Sequence, residues 1–530
     1  MSEYLHVEKP FLDQLANLGW KVIDQGQGFV PSDPAASLRS HFREWLLPEV
    51  FRDAVRAINR TTDGVAWLTD RQLDELRDQI LRQPNRTLLE ANEAVQSLFL
   101  KAQVDRNELT GESDPVVQII DFAHPERNVF HAINQFRIDT PGCVKQCIIP
   151  DIVLFVNGIP LVVVEAKIGD ATTANPMHEA FKQLLRYRNA RPETTAAGLR
   201  EGEPRLFHSN LLLIRTCGEK AEFGSITSGH EHFYAWKDTS FPSPSGESAA
   251  RGAKPIKGEG SRSGSTATLQ PILPHPSPLP GGEGEKRGVE REQERMIQGL
   301  LAPATLLDVL RTCTVFMDTD SGKRVKVICR YQQYRAAHRI IERLRNGATP
   351  EARSGVVWHT QGSGKSLTMV FVARMLRASH DLADFKILLV NDRVDLEDQL
   401  AATARLIGGK VNVIDSTAQL RAHLGTDASD INMVMVHKFM ERAAELPPVV
   451  KEALVSYGTP PSGETFGVVN PSERILLMID EAHRTQSSDL GDNLFEAFPN
   501  ATRIAFTGTP LITEQHGNRR TVKRFGEYID

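Results

Sequence analysis

The stretch Asp151-Ile-Val-Leu-Phe-Val-Asn-Gly-Ile-Pro-Leu-Val-Val-Val-Glu-Ala-Lys167 holds two apolar runs joined by Asn157-Gly158. Asn-Gly between apolar runs is a strong short-range signal for a hairpin with a two-residue type I′ turn. The runs are apolar throughout rather than alternating, as in strands covered on both faces. An acid opens the hairpin and Glu165-Ala166-Lys167 closes it. Glu165 and Lys167 are two apart on a strand and so share a face. In a strict two-residue hairpin, position 156 pairs with 159 and 151 with 164, which turns Asp151 away from Glu165. A longer loop, a bulge or a distorted strand start near Pro150 shifts the register and sets Asp151 opposite Glu165, with Cβ atoms roughly 5 Å apart. One of these irregularities is therefore predicted if the two carboxylates are to share one metal site. A half-buried hairpin with charged ends is the plain alternative.

The chain has 530 residues, 40% of them hydrophobic and 24% charged, which are ordinary values for a globular protein of several domains. The formal net charge of −5 excludes a globally basic protein but not a local basic surface. The cysteines Cys143, Cys147, Cys217, Cys313 and Cys329 are scattered, and none sits in a His/Cys cluster at zinc-ligand spacing. Reduced thiols, no signal peptide and no long apolar run predict a cytoplasmic protein.

A Pro/Gly/Ser-rich segment at 240–292 divides the chain and is expected to be a disordered linker or insertion. Before it, 1–239 reads as mixed α/β. Ser37–Arg60 looks helical with an interruption at Pro48, and DRQLDELRDQILRQ and LLEANEAVQSLFLKAQ read as further amphipathic helices. The runs VVQIIDF, VFHAINQFRI, CIIPDIVLFV, IPLVVVEAK and LLLIRT read as strands, with a helix over MHEAFKQLLRYRNA. After the break, 293–530 opens with a helix in EREQERMIQGLLAPATLLDVLRTC. The apolar runs GVVWHT, FKILLVND, INMVMVHK, RILLMID and RIAFTG then alternate with helical segments, the pattern of a doubly wound parallel sheet.

That second half carries phosphate chemistry. Gly362-Ser363-Gly364-Lys365-Ser366 follows the strand GVVWHT. Glycines there let backbone N–H groups wrap phosphates at a helix N-terminus. Lys365 would reach the β/γ-phosphates and Ser366 would ligate Mg²⁺. The first glycine of the usual pattern is replaced by His359. Asp480-Glu481-Ala482-His483 ends the strand RILLMID: Asp480 is placed to hold Mg²⁺ through water, and Glu481 to orient the attacking water.

These residues resemble superfamily 2 helicases. Gly362-Ser363-Gly364-Lys365-Ser366 matches their phosphate loop, Asp480-Glu481-Ala482-His483 their hydrolysis motif, and Thr507-Gly508-Thr509-Pro510 their coupling motif. The resemblance implies ATP as cofactor, Gln333 in an adenine-reading segment, and Arg393 and Lys438 as contacts to the DNA backbone. Upstream, Pro150-Asp151 with Glu165-Ala166-Lys167 resembles the PD-(D/E)xK nuclease core. That resemblance implies that Asp151 and Glu165 hold Mg²⁺ against a scissile phosphate, and that Lys167 orients or helps deprotonate the attacking water and stabilises developing negative charge. Gln183 and Tyr187, at Q-x-x-x-Y spacing on one helical face, belong to the same pattern. Nuclease core, Q-x-x-x-Y and ATP motor in this order resemble the restriction (R) subunit of type I restriction-modification enzymes, over most of the chain; the 240–292 segment departs from the pattern.

The resemblance implies a restriction-endonuclease-like α/β domain followed by a RecA-like P-loop domain. It implies an ATP- and Mg²⁺-dependent prokaryotic enzyme that translocates on double-stranded DNA and cleaves it, with methylation and specificity subunits as partners. The sequence stops at Asp530, soon after the coupling motif, so a second motor domain is expected to be missing and hydrolysis by this chain alone to be slow. Two other readings stay open: a non-catalytic remnant that binds ATP, DNA or the methylation complex, and a DNA-repair helicase with an accessory nuclease.

Overall fold

A computed structural model of the chain describes residues 2–28, 30–169, 175–239, 291–319, 321–358, 364–391, 411–414, 417–435, 467–480, 495–508 and 528–529. The segment read as a linker lies outside them, apart from 291 and 292.

The N-terminal half is built on a six-stranded mixed sheet. Its strands are β1 (Lys21–Ile23), β2 (Phe130–Asn134), β3 (Ile152–Val156), β4 (Ile159–Ala166), β5 (Leu212–Thr216) and β6 (Ala221–Gly224), and they neighbour one another in that order. β1/β2 and β4/β5 are parallel, and the other neighbours antiparallel. Every residue of β3 and β4 is buried, which is why their sequences do not alternate. Around the sheet lie α1 (Lys9–Asn17), α2 (Pro48–Ile58), α3 (Asp70–Leu81), α4 (Leu88–Lys101) and α5 (Pro176–Tyr187), the last packed on β4 and β5. Thr69 with Gln72 and Thr87 with Glu90 form capping boxes that start α3 and α4 where the pattern places them.

Two expectations need correction. Pro48 does not interrupt a helix; it begins one, because a residue without an N–H and with φ already near helical suits the first position. The residues before it form only a 3₁₀ turn at Pro34–Ser37 and irregular chain. The run VVQIIDF contributes just the two-residue strand Val116–Val117.

In the second half, the predicted opening helix divides at Pro303 into α6 (Glu292–Gly299) and α7 (Pro303–Thr312). An antiparallel hairpin follows, β7 (Thr314–Asp318) and β8 (Arg324–Ile328), then α8 (Tyr331–Asn346). The predicted doubly wound sheet consists of β9 (Gly355–Trp358), β10 (Lys386–Asn391), β11 (Val411–Ile414), β12 (Ile431–Met435), β13 (Ile475–Ile479) and β14 (Thr502–Thr507). Its order is β9-β14-β13-β10-β12-β11 and every pairing is parallel. α9 (Lys365–Ala378) leaves the phosphate-loop region after β9 and packs on α8. No helix among the described residues is long and apolar enough to cross a membrane.

The two halves share one hydrophobic core. The β7–β8 hairpin docks on the N-terminal half through polar contacts. Arg324 binds Glu93 with two hydrogen bonds of 2.9 and 2.6 Å. The Lys326 carbonyl accepts from Ser225 Oγ (2.8 Å) and Thr227 Oγ1 (3.1 Å). The Lys326 side chain enters the joint, where Nζ donates to Asn92 Oδ1 at 3.0 Å and to the Asn210 carbonyl. Trp20 Nε1 donates to the Leu301 carbonyl at 3.1 Å, and Thr216 Oγ1 to Gln293 Oε1 at 2.8 Å.

Burial with no acid nearby pushes the Lys326 amine well below its usual pKa. A lysine depressed in the fold holds its proton less tightly folded than unfolded, so its contribution favours the folded state more as pH rises from the folded value toward the unfolded value of about 10.4. Relative to Lys326→Met, the wild-type folding constant should therefore climb as pH rises above neutrality. Urea denaturation of both proteins at pH 7, 8 and 9 checks this; parallel curves would mean that Lys326 stays charged in the joint.

Candidate functional site

The hairpin over 151–167 has a tight turn. Asn157 and Gly158 have φ of 49° and 76°, the left-handed pair that a type I′ turn requires. Gly158 is forced by packing as well, since a Cβ there would lie 2.6 Å from the Leu47 carbonyl oxygen. Asn157 is pinned too: its amide donates to the Ile119 carbonyl (2.9 Å) and Asn128 Oδ1 (2.8 Å), and its Oδ1 accepts from Val129 N (2.8 Å).

Beyond the turn the register slips. Val156 pairs with Ile159 and Phe155 with Pro160, but Leu154 pairs with Val162 and Ile152 with Val164. Leu161 is the extra residue, a β-bulge. One step further along this shifted ladder, Asp151 stands across from Glu165, as the metal-site reading required. Asp151 Oδ2 closes the pairing by accepting from Ala166 N at 2.7 Å. Lys167 Nζ lies 2.8 Å from Glu165 Oε1 and 3.5 Å from Asp151 Oδ2. Asp151, Glu165 and Lys167 thus form one cluster at the edge of the core.

Two further members of this cluster are not among the residues that the sequence singles out. A π-helical turn spans Tyr4–Glu8, in which Lys9 N donates to the Tyr4 carbonyl five residues back. Glu3, which caps that turn, and Glu8, which ends it, are also five apart, and one carboxylate oxygen each from Glu3, Glu8 and Asp151 lie within 4.8 Å of one another. Glu3 Oε1 is 3.3 Å from Lys167 Nζ. Glu8 Oε2 accepts from Gln135 Nε2 at 3.1 Å. The only signal in the sequence is the spacing of the two glutamates, which neither strand nor α-helix periodicity picks out.

The electrostatics are those of a site short of positive charge. Burial, then the neighbouring Glu165, holds the Asp151 carboxyl well above its usual range. Burial raises Glu165 too, although Lys167 and the Tyr187 hydroxyl pull it down. Burial, then Asp151, lifts Glu8 to about 8. Burial alone would depress Lys167, but Glu165, Asp151 and Glu3 together outweigh it and raise the amine above its ordinary value. Lys167 is therefore a cation among four carboxyl groups. Glu165 Oε2 is buried and finds no hydrogen-bond partner within 3.5 Å among the described residues; a cation would satisfy it and an apolar neighbour would not. The donor set, all carboxylate oxygen, suits a hard divalent ion such as Mg²⁺.

Of the helical pair, Tyr187 belongs to the centre. It is buried, its hydroxyl donates to the Ile149 carbonyl at 3.1 Å, and after burial the charges of Glu165 and Asp151 raise its pKa. Gln183, one turn earlier, is half-buried and makes no hydrogen bond among the described residues.

In the second half, the nucleotide motifs converge on one edge of the parallel sheet. Asp480 is buried just past the end of β13, with its N–H on the Val390 carbonyl at 3.0 Å. Thr507 ends the adjacent β14, paired in register with Trp358 at the end of β9. These are carboxyl ends of parallel strands, where such sheets bind ligands. Gly364, with φ of 82°, caps α9, and Lys365 and Ser366 form its first turn, Lys365 buried and Ser366 half-buried. The Gln333 amide is engaged at both ends: Oε1 accepts from Arg330 N (2.8 Å) and Nε2 donates to the Gly364 carbonyl (3.1 Å). Gln333 thus ties the first turn of α8 to Gly364 at the start of α9. Gly362, Ser363, Glu481, Arg393 and Lys438 lie outside the described residues.

Comparison with known proteins agrees with both halves. Residues 1–239 match the family described as type I restriction enzyme R protein N terminus, and residues 332–530 match the SWI2/SNF2 ATPase family. Along 99% of its length the chain is 27% identical to the type I restriction enzyme HindI endonuclease subunit of Haemophilus influenzae, covering 44% of that protein. It is 23% identical over 82% of its length to the SsaAORF53P endonuclease subunit of Staphylococcus saprophyticus, covering 38% of it. The chain spans less than half the length of these relatives.

The raised Glu8 gives a pH test. Its contribution to stability is full below the unfolded value and is lost as pH rises to about 8. In EDTA, wild-type protein should therefore lose stability relative to Glu8→Gln between pH 5 and pH 8, and Mg²⁺ should restore more of it to wild type than to the variant. Thermal melts across that range would show no crossing trend if Glu8 were an ordinary surface acid.

Proposed function

Starting from a chain that belongs to the R-subunit family of type I restriction enzymes, we propose that its N-terminal half is a Mg²⁺-dependent DNA endonuclease and its C-terminal half the first domain of an ATP-driven translocase on double-stranded DNA. The observation that carries this reading is the bulged hairpin, which sets Asp151 opposite Glu165 with Lys167 between them.

Asp151 and Glu165 would hold the metal, with Glu8 as a third carboxylate. The bound ion would act as Lewis acid on the scissile phosphate and lower the pKa of an attacking water. Lys167 is held protonated, so its part is electrostatic: it positions the water and stabilises charge developing on the phosphate rather than accepting a proton. Tyr187 fixes the strand entering the site through the Ile149 carbonyl. Lys365, Ser366 and Asp480 would bind ATP and its Mg²⁺, with Gly362, Ser363 and Glu481 completing that site, and Gln333 setting the loop. Arg393 and Lys438 would touch the DNA backbone, and Gln183 would support the nuclease helix.

Methylation and specificity subunits are the partners in this reading, and they would supply the target recognition. A non-catalytic remnant fits less well, since burying several carboxyl groups beside one lysine costs stability that only a ligand offsets.

The test is nicking of supercoiled plasmid in Mg²⁺ and ATP, with and without the methylation and specificity subunits of the same system. Lys167→Ala and Glu165→Ala should each lower the rate by at least about a hundredfold, while Lys365→Ala should lose ATP binding with the nuclease fold intact. Nicking that survives both hairpin substitutions would place the chemistry elsewhere.

A further inference from the structure

A cleft of about 650 Å³ opens between the end of α3, the 41–48 segment and the loops 139–143 and 200–205. Arg43, Arg77, Arg82, Arg200 and Arg205 line it. Arg205 is held by Glu203, a wall residue. Arg77 and Arg82 pair with Asp74 and Asp78, which do not line the cleft. Arg43 and Arg200 are exposed and make no ion pair among the described residues. The acids of the wall are all engaged: Glu44 accepts from Ser40 and His41, Asp139 from Arg137, and Glu203 from Arg205. A chain of net charge −5 thus presents here a surplus of guanidinium groups to solvent.

The cleft is also joined to the catalytic centre. Glu203 N donates to the Tyr187 carbonyl at 2.9 Å, while the hydroxyl of the same tyrosine reaches Ile149 in the strand entry. Gly202 packs so closely on this helix end that a Cβ would lie 2.2 Å from the Tyr187 carbonyl oxygen. On the opposite wall, Asp139 lies three residues after Phe136, whose N–H donates to the Pro150 carbonyl at 3.0 Å. One tyrosine side chain therefore separates the wall of the cleft from the carboxylates.

We propose that this cleft seats the phosphodiester backbone of duplex DNA beside the bond to be cut, with Arg43 and Arg200 as phosphate contacts. The proposal rests on the nuclease reading. Guanidinium forks match phosphate oxygens in geometry and charge. Their origin in separate chain segments suits an extended polyanion better than a single small one.

Cys143, a free half-buried thiol in the cleft wall, reports occupancy. The full chain is incubated with a short duplex in Ca²⁺ instead of Mg²⁺, and alkylation of Cys143 is followed by peptide mass spectrometry. Saturating duplex should protect Cys143. Arg43→Gln with Arg200→Gln should abolish the protection and lower the slope of log affinity against log salt by roughly two, at about 0.9 for each phosphate no longer neutralised. Arg43→Lys with Arg200→Lys should keep the slope, which separates the effect of charge from an effect on folding. The proposal is overturned if bound duplex leaves Cys143 reactive, if the glutamine pair keeps protection, or if inorganic phosphate alone protects as well, which would mark a small-anion site. Plasmid nicking without Cys143 protection would sink the cleft and spare the nuclease; protection without nicking would do the reverse.

Discussion

Everything at the carboxylate centre depends on one extra residue in one strand. Without the bulge at Leu161, the Asn157-Gly158 turn would pair Asp151 with Val164 and turn its carboxyl to the other face, because strand side chains alternate. The bulge is held from both sides. Its turn is pinned by Asn157 and by the close approach of Gly158 to Leu47. Past the bulge, the Leu161 carbonyl accepts from Leu211 N at 2.6 Å at the entry to β5, so the displaced residue still satisfies its backbone. The irregularity is stabilised by its surroundings, and it aims the one side chain that a regular hairpin would misplace.

The price of that geometry is a buried cluster of like charges. Asp151, Glu165, Glu3 and Glu8 surround Lys167, and one cation cannot neutralise four carboxyl groups. Burial disfavours their ionised forms and the carboxylates repel one another, so the acids bind protons more tightly than in water. A divalent ion would replace those protons. The same arrangement keeps the Lys167 amine charged, because Glu165, Asp151 and Glu3 together outweigh its burial.

Much of this is legible in the sequence because it is local. The turn, the two buried strands, the Glu165/Lys167 pair and the phosphate-loop strand each announce themselves within a few residues. The requirement for a bulge follows from counting register, but its position does not, since Leu161 has nothing to distinguish it from the valines that follow. Glu3 and Glu8 give no such signal, because they reach the hairpin from about 140 positions away and through a π-helical turn, a geometry too rare to assume from sequence. Pro48 misleads because proline stops a helix from inside and starts one from its first position, and periodicity alone does not distinguish the two. Gln333 stands out by its motif, but its bond to Gly364 is a tertiary contact that no spacing reveals. The cleft arginines come from three unconnected stretches and carry no pattern at all.

The joint between the halves bears on how they could work together. A shared apolar core would resist separation, but apolar contacts are not directional and tolerate sliding. The β7–β8 hairpin adds the directional part: two hydrogen bonds from Arg324 to Glu93, and the Lys326 backbone held by Ser225 and Thr227. Lys326 also carries its amine into the N-terminal half, onto Asn92 and the Asn210 carbonyl. Asn92 in turn donates to the Phe207 and His208 carbonyls, in the segment that leads from the cleft wall to β5. A displacement of the β7–β8 hairpin would have to break this buried network or move β5 with it. Since β5 lies beside β4, which carries Glu165, a load on the C-terminal half has a stiff route of few residues to the carboxylates.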